Sequence, residues 1–317
     1  MHMFKNFKKP DKLAIKGKAS RFFGSLFRYV FLILVSYIIL YPFLSKISAS
    51  FMSMNDMYDT SVIFIPKEPT LDNYQTVIKA IDYVGTALKT LGLSLLCALP
   101  QVLVCSMAGY ALAKLKGKIG IIGFILVIAT ILIPPQIIMV PMYLKFRFFD
   151  VFGIVELLTG SSINLLNKMG GTLPFIILSI TGMGFKNGIY IFLFRQFYKG
   201  IPEELEEAAY LDGLSIFKTY WKIVIPISIP MFVTTFMLAF AWQWTDTFYT
   251  NLFLKADDVL STAIFTMNDY TYGSSGAFYQ TTLIQTAVIL SLVPLIIMYV
   301  FGQKKLIQGI ERSGITG

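Results

Sequence analysis

Ile201 to Pro226 reads IPEELEEAAYLDGLSIFKTYWKIVIP. Four glutamates, Glu203, Glu204, Glu206 and Glu207, stand close together, followed by Gly213 and a basic-aromatic run that ends in proline. Uncharged apolar stretches flank the segment on both sides. It therefore reads as a polar element held at a membrane surface, in the manner of a cytoplasmic loop. Pro202 suits the first turn of a helix, where a missing N–H costs nothing. The glutamates then sit near the positive end of that helix's dipole. Gly213 can end the helix in a left-handed conformation. A second helix is expected from Ser215 towards Val224, with Pro226 beyond it. The expected result is a helix-turn-helix lying across the membrane face.

The composition demands lipid. Of 317 residues, 56 % are hydrophobic and 14 % charged, where a soluble domain carries about a quarter charged residues. The net charge of +9 does not point to nucleic acid, because the basic residues crowd beside the apolar stretches, as the positive-inside bias requires. The only histidine is His2, which excludes a histidine-based catalytic site in the membrane core. Cys97 and Cys105 fall eight apart in one apolar span and read as packing residues rather than a metal pair.

Six spans are expected: Tyr29 to Ser48, Thr90 to Ala113, Ile119 to Leu144, Gly171 to Phe194, Ile227 to Asn251 and Leu283 to Phe301. Residues 1–28 form a basic arm and 304–317 a tail, so 29–303 is the membrane domain, with 201–226 as its cytoplasmic loop. Of the 27 Lys and Arg, 18 fall in the arm, after span two, around the 201–226 loop and in the tail. That bias places both termini in the cytoplasm. Pro134, Pro135 and Pro141 break the outer half of span three, and Gly182, Gly184 and Gly188 interrupt span four. The Ala108 to Ala113 run at the end of span two allows close helix contact.

The 201–226 stretch resembles the EAA loop of ABC importer permeases: E-A-A, three residues, G, nine residues, I-x-L-P. Here it reads Glu207-Ala208-Ala209, Gly213, then Ile223-Val224-Ile225-Pro226, with isoleucine for leucine at 225. Further marks are Pro69-Thr70-Leu71-Asp72-Asn73-Tyr74, Ala108 to Lys116, the Pro134-Pro135 patch, Trp242-Gln243-Trp244-Thr245-Asp246 and a glycine-spaced tail. Together they resemble the MalG-type permeases of carbohydrate ABC importers. The resemblance implies an all-α integral membrane protein with the type I importer permease fold, in the bacterial inner membrane. It implies a second, MalF-like permease subunit, two ATPase subunits and an extracellular solute-binding protein as partners. It also implies that Glu206, Glu207, Ala208, Ala209, Asp212 and Gly213 couple the chain to an ATPase. The chain has no G-x-x-x-x-G-K-[ST] loop to cradle phosphates, so no cofactor is expected in it, ATP–Mg being held by the partners.

Trp242 and Trp244 are candidates to stack on sugars and Gln243 to bond hydroxyls; tryptophan also anchors at membrane interfaces. Lys186 lies near mid-membrane if span four is helical throughout, where a charge costs about 3 kcal/mol and faces a cavity or a partner. It is a candidate contact for an acidic or heavily hydroxylated sugar, or for an acid on the partner permease. The tail after Gln308 is expected to take an extended path towards the ATPases. A secondary transporter would want intramembrane acids for ion coupling; spans one to three and six have none. A membrane enzyme and a permease for a non-sugar solute are the other readings.

Overall fold

The computed structural model describes residues 12–150, 153–166, 168–254, 259–270 and 276–314. The start of the basic arm, with Lys5, Lys8 and Lys9, and the last residues, Ile315 to Gly317, lie outside the described residues. The chain divides into two units, Met1–Asn73 and Tyr74–Gly317.

In the first unit, α1 runs Lys12–Ser50. The helix thus begins well before Tyr29, and the second half of the basic arm is helical and continuous with the span. From Phe23 to Ser50 it is apolar and almost wholly uncovered, the condition of a helix dissolved in lipid. After it comes a polar knot that includes α2 (Met54–Tyr58). Ser53 caps α2 through Asp56 N. Buried Asp56 accepts from Glu68 N at 3.0 Å, and Thr70 N donates to Phe51 O at 2.8 Å. Buried Asn73 donates to Ser50 O and Met52 O at 3.0 and 2.9 Å. The asparagine of the Pro69 to Tyr74 run therefore has a structural role, closing the knot onto the end of α1.

The second unit contains most of α3 (Asp72–Ala80), then α4 (Tyr83–Lys114), α5 (Gly117–Leu132), α6 (Pro135–Arg147), α7 (Ile154–Thr159), α8 (Leu173–Ile180) and α9 (Asn187–Lys199). There follow α10 (Glu203–Leu211), α11 (Ile216–Ile227), α12 (Ile229–Thr245), α13 (Phe248–Phe253), α14 (Leu260–Tyr270) and α15 (Ala277–Gly314). Among the described residues three helices are long and apolar enough to cross a membrane, and the count is five if each of two bent pairs is one crossing.

Both bends sit at prolines. α5 and α6 meet at 96° around Ile133-Pro134, so the break expected at the prolines of the Ile119 to Leu144 span is a sharp one. Proline disfavours helical backbone in the residue before it and removes a donor. α11 and α12 meet at 78° at Ser228, between Pro226 and Pro230. α11 itself widens into a π-helical turn over Tyr220–Val224. Pro226 has no N–H to give the carbonyl four residues earlier, and the wider turn sits just before it. Span four is likewise two helices, α8 and α9, separated by Thr181 to Lys186. The fifth span ends earlier than expected, at Thr245 rather than Asn251.

α4 is the centre of this unit: it packs along α8, α9 and α12, and α12 in turn packs along α15. Val102, Cys105, Tyr190, Phe194, Phe240 and Leu283 are among the buried residues that join these helices. Small residues set the spacing. A Cβ on Gly109 would fall 2.6 Å from Phe194 Cβ and 3.0 Å from Arg195 N, so α4 and α9 touch backbone to backbone there. On α15, a Cβ at Gly309 would lie 2.9 Å from Pro230 O. α15 is helical through Gly314, so residues 309–314 do not take the extended path expected after Gln308; Gly309 instead packs on α12.

Gly109→Ala is expected to cost about 1–3 kcal/mol, because the neighbours in its way are backbone and cannot yield. Gly92→Ala on the same helix meets open space and should hold or raise stability by about 0.5–1 kcal/mol. Thermal unfolding in detergent checks the pair.

Candidate functional site

α10 and α11 build the helix-turn-helix that the sequence calls for. α10 starts at Glu203, immediately after Pro202, and its first turn carries Glu203, Glu204 and Glu206. It ends in a two-bond cap: Gly213 N donates to Tyr210 O and Leu214 N to Ala209 O, both at 3.0 Å. That pattern needs a left-handed residue at Gly213, whose φ is +79°. No atom lies near a Cβ built there, so glycine is required by the backbone alone.

The element has an inner and an outer face. Glu206 and Ala209 point inward and are buried; Glu207, Ala208, Asp212 and Gly213 are exposed. Glu206, only 5 % exposed, holds the element down. Its Oε1 lies 2.7 Å from Lys114 Nζ at the end of α4, and its Oε2 accepts from Tyr110 OH at 3.1 Å. Glu206 is therefore an anchor within the chain, while Glu207 faces outward. Tyr110 continues the tie inward, with its ring 5.5 Å from Tyr198 on α9 and 5.1 Å from Tyr220 on α11. Ser106 Oγ lies 2.5 Å from Tyr198 OH and 2.8 Å from Tyr220 OH. One buried serine thus joins α4, α9 and α11. Between α4 and the two surface helices runs a cleft of ≈ 550 Å³, lined by Met107, Lys114, Glu206, Phe217 and Tyr220 among others. Lys116 and Glu203, 3.7 Å apart and solvent-exposed, add little to the tie. Around the turn the outer face is apolar: Leu211 is 90 % and Phe217 70 % exposed, with Ile216 beside them.

A second polar cluster lies at the break of span four. Gly182 and Lys186 both have positive φ, +73° and +65°. Lys186 Nζ sits 4.4 Å from the centre of the Trp242 ring, a cation–π contact. Gln101 Nε2 donates to Phe185 O at 2.7 Å and to Asn187 Oδ1 at 2.5 Å. Gln243 lines a small cavity with Gln101, Ser179, Tyr190, Trp242 and Asp246. Its volume of ≈ 10 Å³ holds one water at most. Asp246 accepts from Thr250 N and Thr250 Oγ1, both at 2.9 Å; it caps α13 instead of extending span five. Trp244 is buried and its Nε1 donates to Ser291 O at 3.0 Å, which ties α12 to α15 and removes Trp244 from any pathway.

The family described as "Binding-protein-dependent transport system inner membrane component" matches residues 105–311. This chain belongs to that family. It is a multi-pass membrane permease subunit, not a catalytic protein. The family implies that such a subunit works with an ATPase and a binding protein. Among similar chains is the "Probable starch degradation products transport system permease protein AmyC" of Thermoanaerobacterium thermosulfurigenes, 28 % identical over 285 residues, covering 89 % of this chain and 94 % of that one. Another is the "Galactooligosaccharides transport system permease protein GanQ" of Bacillus subtilis, 24 % identical over 305 residues, covering 95 % and 98 %. In fold the permease is similar to a chain from the crystal structure of a bacterial ABC transporter involved in the import of the acidic polysaccharide alginate. The TM-score is 0.69 at 20 % identity, covering 90 % of this chain and 97 % of that one.

Of the residues singled out in the sequence, the permease brings Glu206, Glu207, Ala208, Ala209, Asp212 and Gly213 together on α10 and its cap. Lys186, Trp242 and Gln243 gather at the break, while Trp244 turns away. The helical period already separates Trp242 from Trp244: two positions amount to about 200° of rotation. Ser106, Tyr110, Lys114, Tyr198 and Tyr220 escape the sequence reading. They are scattered over more than a hundred residues, and Lys114 reads there only as an orientation signal.

Two outcomes follow for the permease. Lys114→Met and Glu206→Gln should each destabilise the folded chain by about 1–3 kcal/mol, less than a fully buried pair because Lys114 keeps some solvent. The double variant should cost less than the sum, as thermal unfolding in detergent can show. Gly213→Ala should cost about 1 kcal/mol and Gly213→Asn less, since asparagine tolerates the left-handed region.

Proposed function

We propose that this chain is a MalG-type permease of a carbohydrate ABC importer, working in the bacterial cytoplasmic membrane with a MalF-like permease, two ATPases and an extracellular solute-binding protein. Six crossings and two cytoplasmic termini complete this reading: α1, α4, α5 with α6, α8 with α9, α12 and α15. The charge bias of the sequence and the broken form of two crossings, α5 with α6 and α8 with α9, support that count, a broken helix being tolerated where protein or a cavity satisfies its backbone. The sugar assignment is supported by relatives of full length whose names specify starch degradation products, galactooligosaccharides and arabinooligosaccharides.

The observation that carries the coupling mechanism is the two-faced helix-turn-helix. Its inner face is anchored through Glu206 to α4 and through Tyr220 to Ser106 and Tyr198. Its outer face presents Glu207, Ala208, Asp212 and the apolar turn residues Leu211, Ile216 and Phe217. Ala208 permits close approach of an ATPase, and Leu211 and Phe217 supply apolar area that water disfavours. ATP binding closes the ATPases and displaces this element. Because it is anchored, the displacement passes to α4, α9 and α12 together, and the cavity opens to receive solute from the binding protein. Hydrolysis reverses the change. Lys186, Trp242 and Gln243 line the solute pathway in this scheme. The domain roles follow: 1–28 cytoplasmic arm, 29–303 permease with its coupling loop at 201–226, and 304–317 cytoplasmic tail.

Leu211→Asp tests the scheme cleanly, because Leu211 is almost fully exposed and contributes nothing to the fold. The variant chain is expected to fold and insert normally. Its complex in proteoliposomes should lose binding-protein-stimulated ATPase and uptake about tenfold or more, as expected when a charge enters an apolar contact. Undiminished stimulation and uptake would contradict ATPase docking at this turn.

A further inference from the structure

The polar break of span four carries a lysine that has no acidic partner among the described residues. α9 is 13 residues long, so Lys186 stands about 20 Å above Lys199, some two-thirds of the way across a hydrocarbon layer of about 30 Å. An ammonium at such a depth faces a partner or a polar path. Among the described residues no carboxylate pairs with it. Among the described residues its ammonium lies on the indole face of Trp242. The nearby Asp246 is already engaged by Thr250 and Tyr249 at the start of α13. Trp242 itself is 50 % exposed, so the pair is open to a ligand.

The surrounding amides reinforce this bias. Gln101 must present its NH₂ to Phe185 O, which forces Asn187 to present Oδ1 to the same group. Asn187 Nδ2 is then left as a buried donor with no acceptor, and Gln243 Nε2 beside the small cavity is another. Two unfilled donors and one cation make a site that lacks acceptors. Lys186 also holds a left-handed backbone that disfavours non-glycine residues. Strain of this kind persists where a side chain must be aimed.

We propose that Lys186, seated on Trp242, is a specificity element for saccharides that carry carboxylates, of the uronic acid class. The carboxylate approaches the ammonium while the half-exposed indole takes an apolar sugar face; the buried amide donors of Asn187 and Gln243 touch no sugar and only add to the positive bias behind the lysine. This rests on the carbohydrate-import reading above. Nothing in it depends on the coupling helix.

The test uses the whole complex, with the partner permease, ATPases and binding protein, in proteoliposomes. A panel of labelled di- to tetrasaccharides built from galactose or from galacturonate is offered to wild type, Lys186→Met and Lys186→Arg. The readout is the acidic-to-neutral uptake ratio, in which the binding protein's own preference is common to all three. Wild type should favour the acidic members. Lys186→Met should lower the ratio about tenfold, the size of one charge-assisted contact, and Lys186→Arg should largely keep it. A ratio unchanged in Lys186→Met, or import of neutral members only, overturns the proposal and leaves carbohydrate import standing. Import of neither class, in a complex whose ATPase the binding protein stimulates, overturns both. Failure of Lys186→Met to assemble where Lys186→Arg assembles marks the lysine as the mate of a partner-subunit acid and also overturns it.

Discussion

The buried carboxylate of Glu206 is the contact on which the surface helix-turn-helix of the permease depends. α10 is nine residues long, too short to be stable alone in water, and its outer face is free. What holds it is one side chain reaching inward to Lys114 and Tyr110. A buried carboxylate is tolerable only when paired and hydrogen-bonded, so its position is tightly specified. The tyrosine and serine hydroxyls behind it extend the same constraint to α9 and α11. Because α4 is also the helix that α8, α9 and α12 pack around, the surface element is fastened to the centre of the bundle. It is not a loose connector between two spans.

The second polar cluster follows a different logic. Around α10, Glu206, Lys114, Tyr110, Ser106, Tyr198 and Tyr220 pair or hydrogen-bond with one another. At the break of span four, two buried amide donors lack acceptors among the described residues, and the lysine lies on a π face. A packed membrane interior strongly favours paired groups. Under the proposal made above, this imbalance between helices broken by glycine and proline is what a saccharide carboxylate would relieve. The two clusters share α4: Ser106, Tyr110 and Lys114 serve the first and Gln101 the second. The helix that receives the displacement of the surface element therefore also lines the break.

Much of this was readable from residues. Gly213 announced a left-handed helix end, the 182–188 glycines a broken span, and the Pro134-Pro135 pair a bend. These signals are local, since backbone conformation there is set by the residue itself. The angle at Pro134, 96°, was not readable, because a proline permits a kink while packing fixes its size. The Glu206 anchor was hidden for a related reason. Its mates lie 92 and 96 positions earlier in the chain, and a charge run beside a span looks like a solvated face until tertiary structure buries one member. Asp246 misled for want of one observation: an acid just before a short helix is a cap, and it ends span five six residues early.

The central claim is that α10 moves as one body with the cytoplasmic end of α4. The most direct measurement is the distance between spin labels at Glu204 on α10 and Ala111 on α4, both exposed, with Cys97 and Cys105 replaced, in the complete complex in lipid. One narrow distance distribution is expected, the same without nucleotide and with ATP bound, while distances from α10 to the partner permease change. A nucleotide-dependent change in the Glu204 to Ala111 distance would contradict the claim, because the surface element would then slide on α4 instead of carrying it.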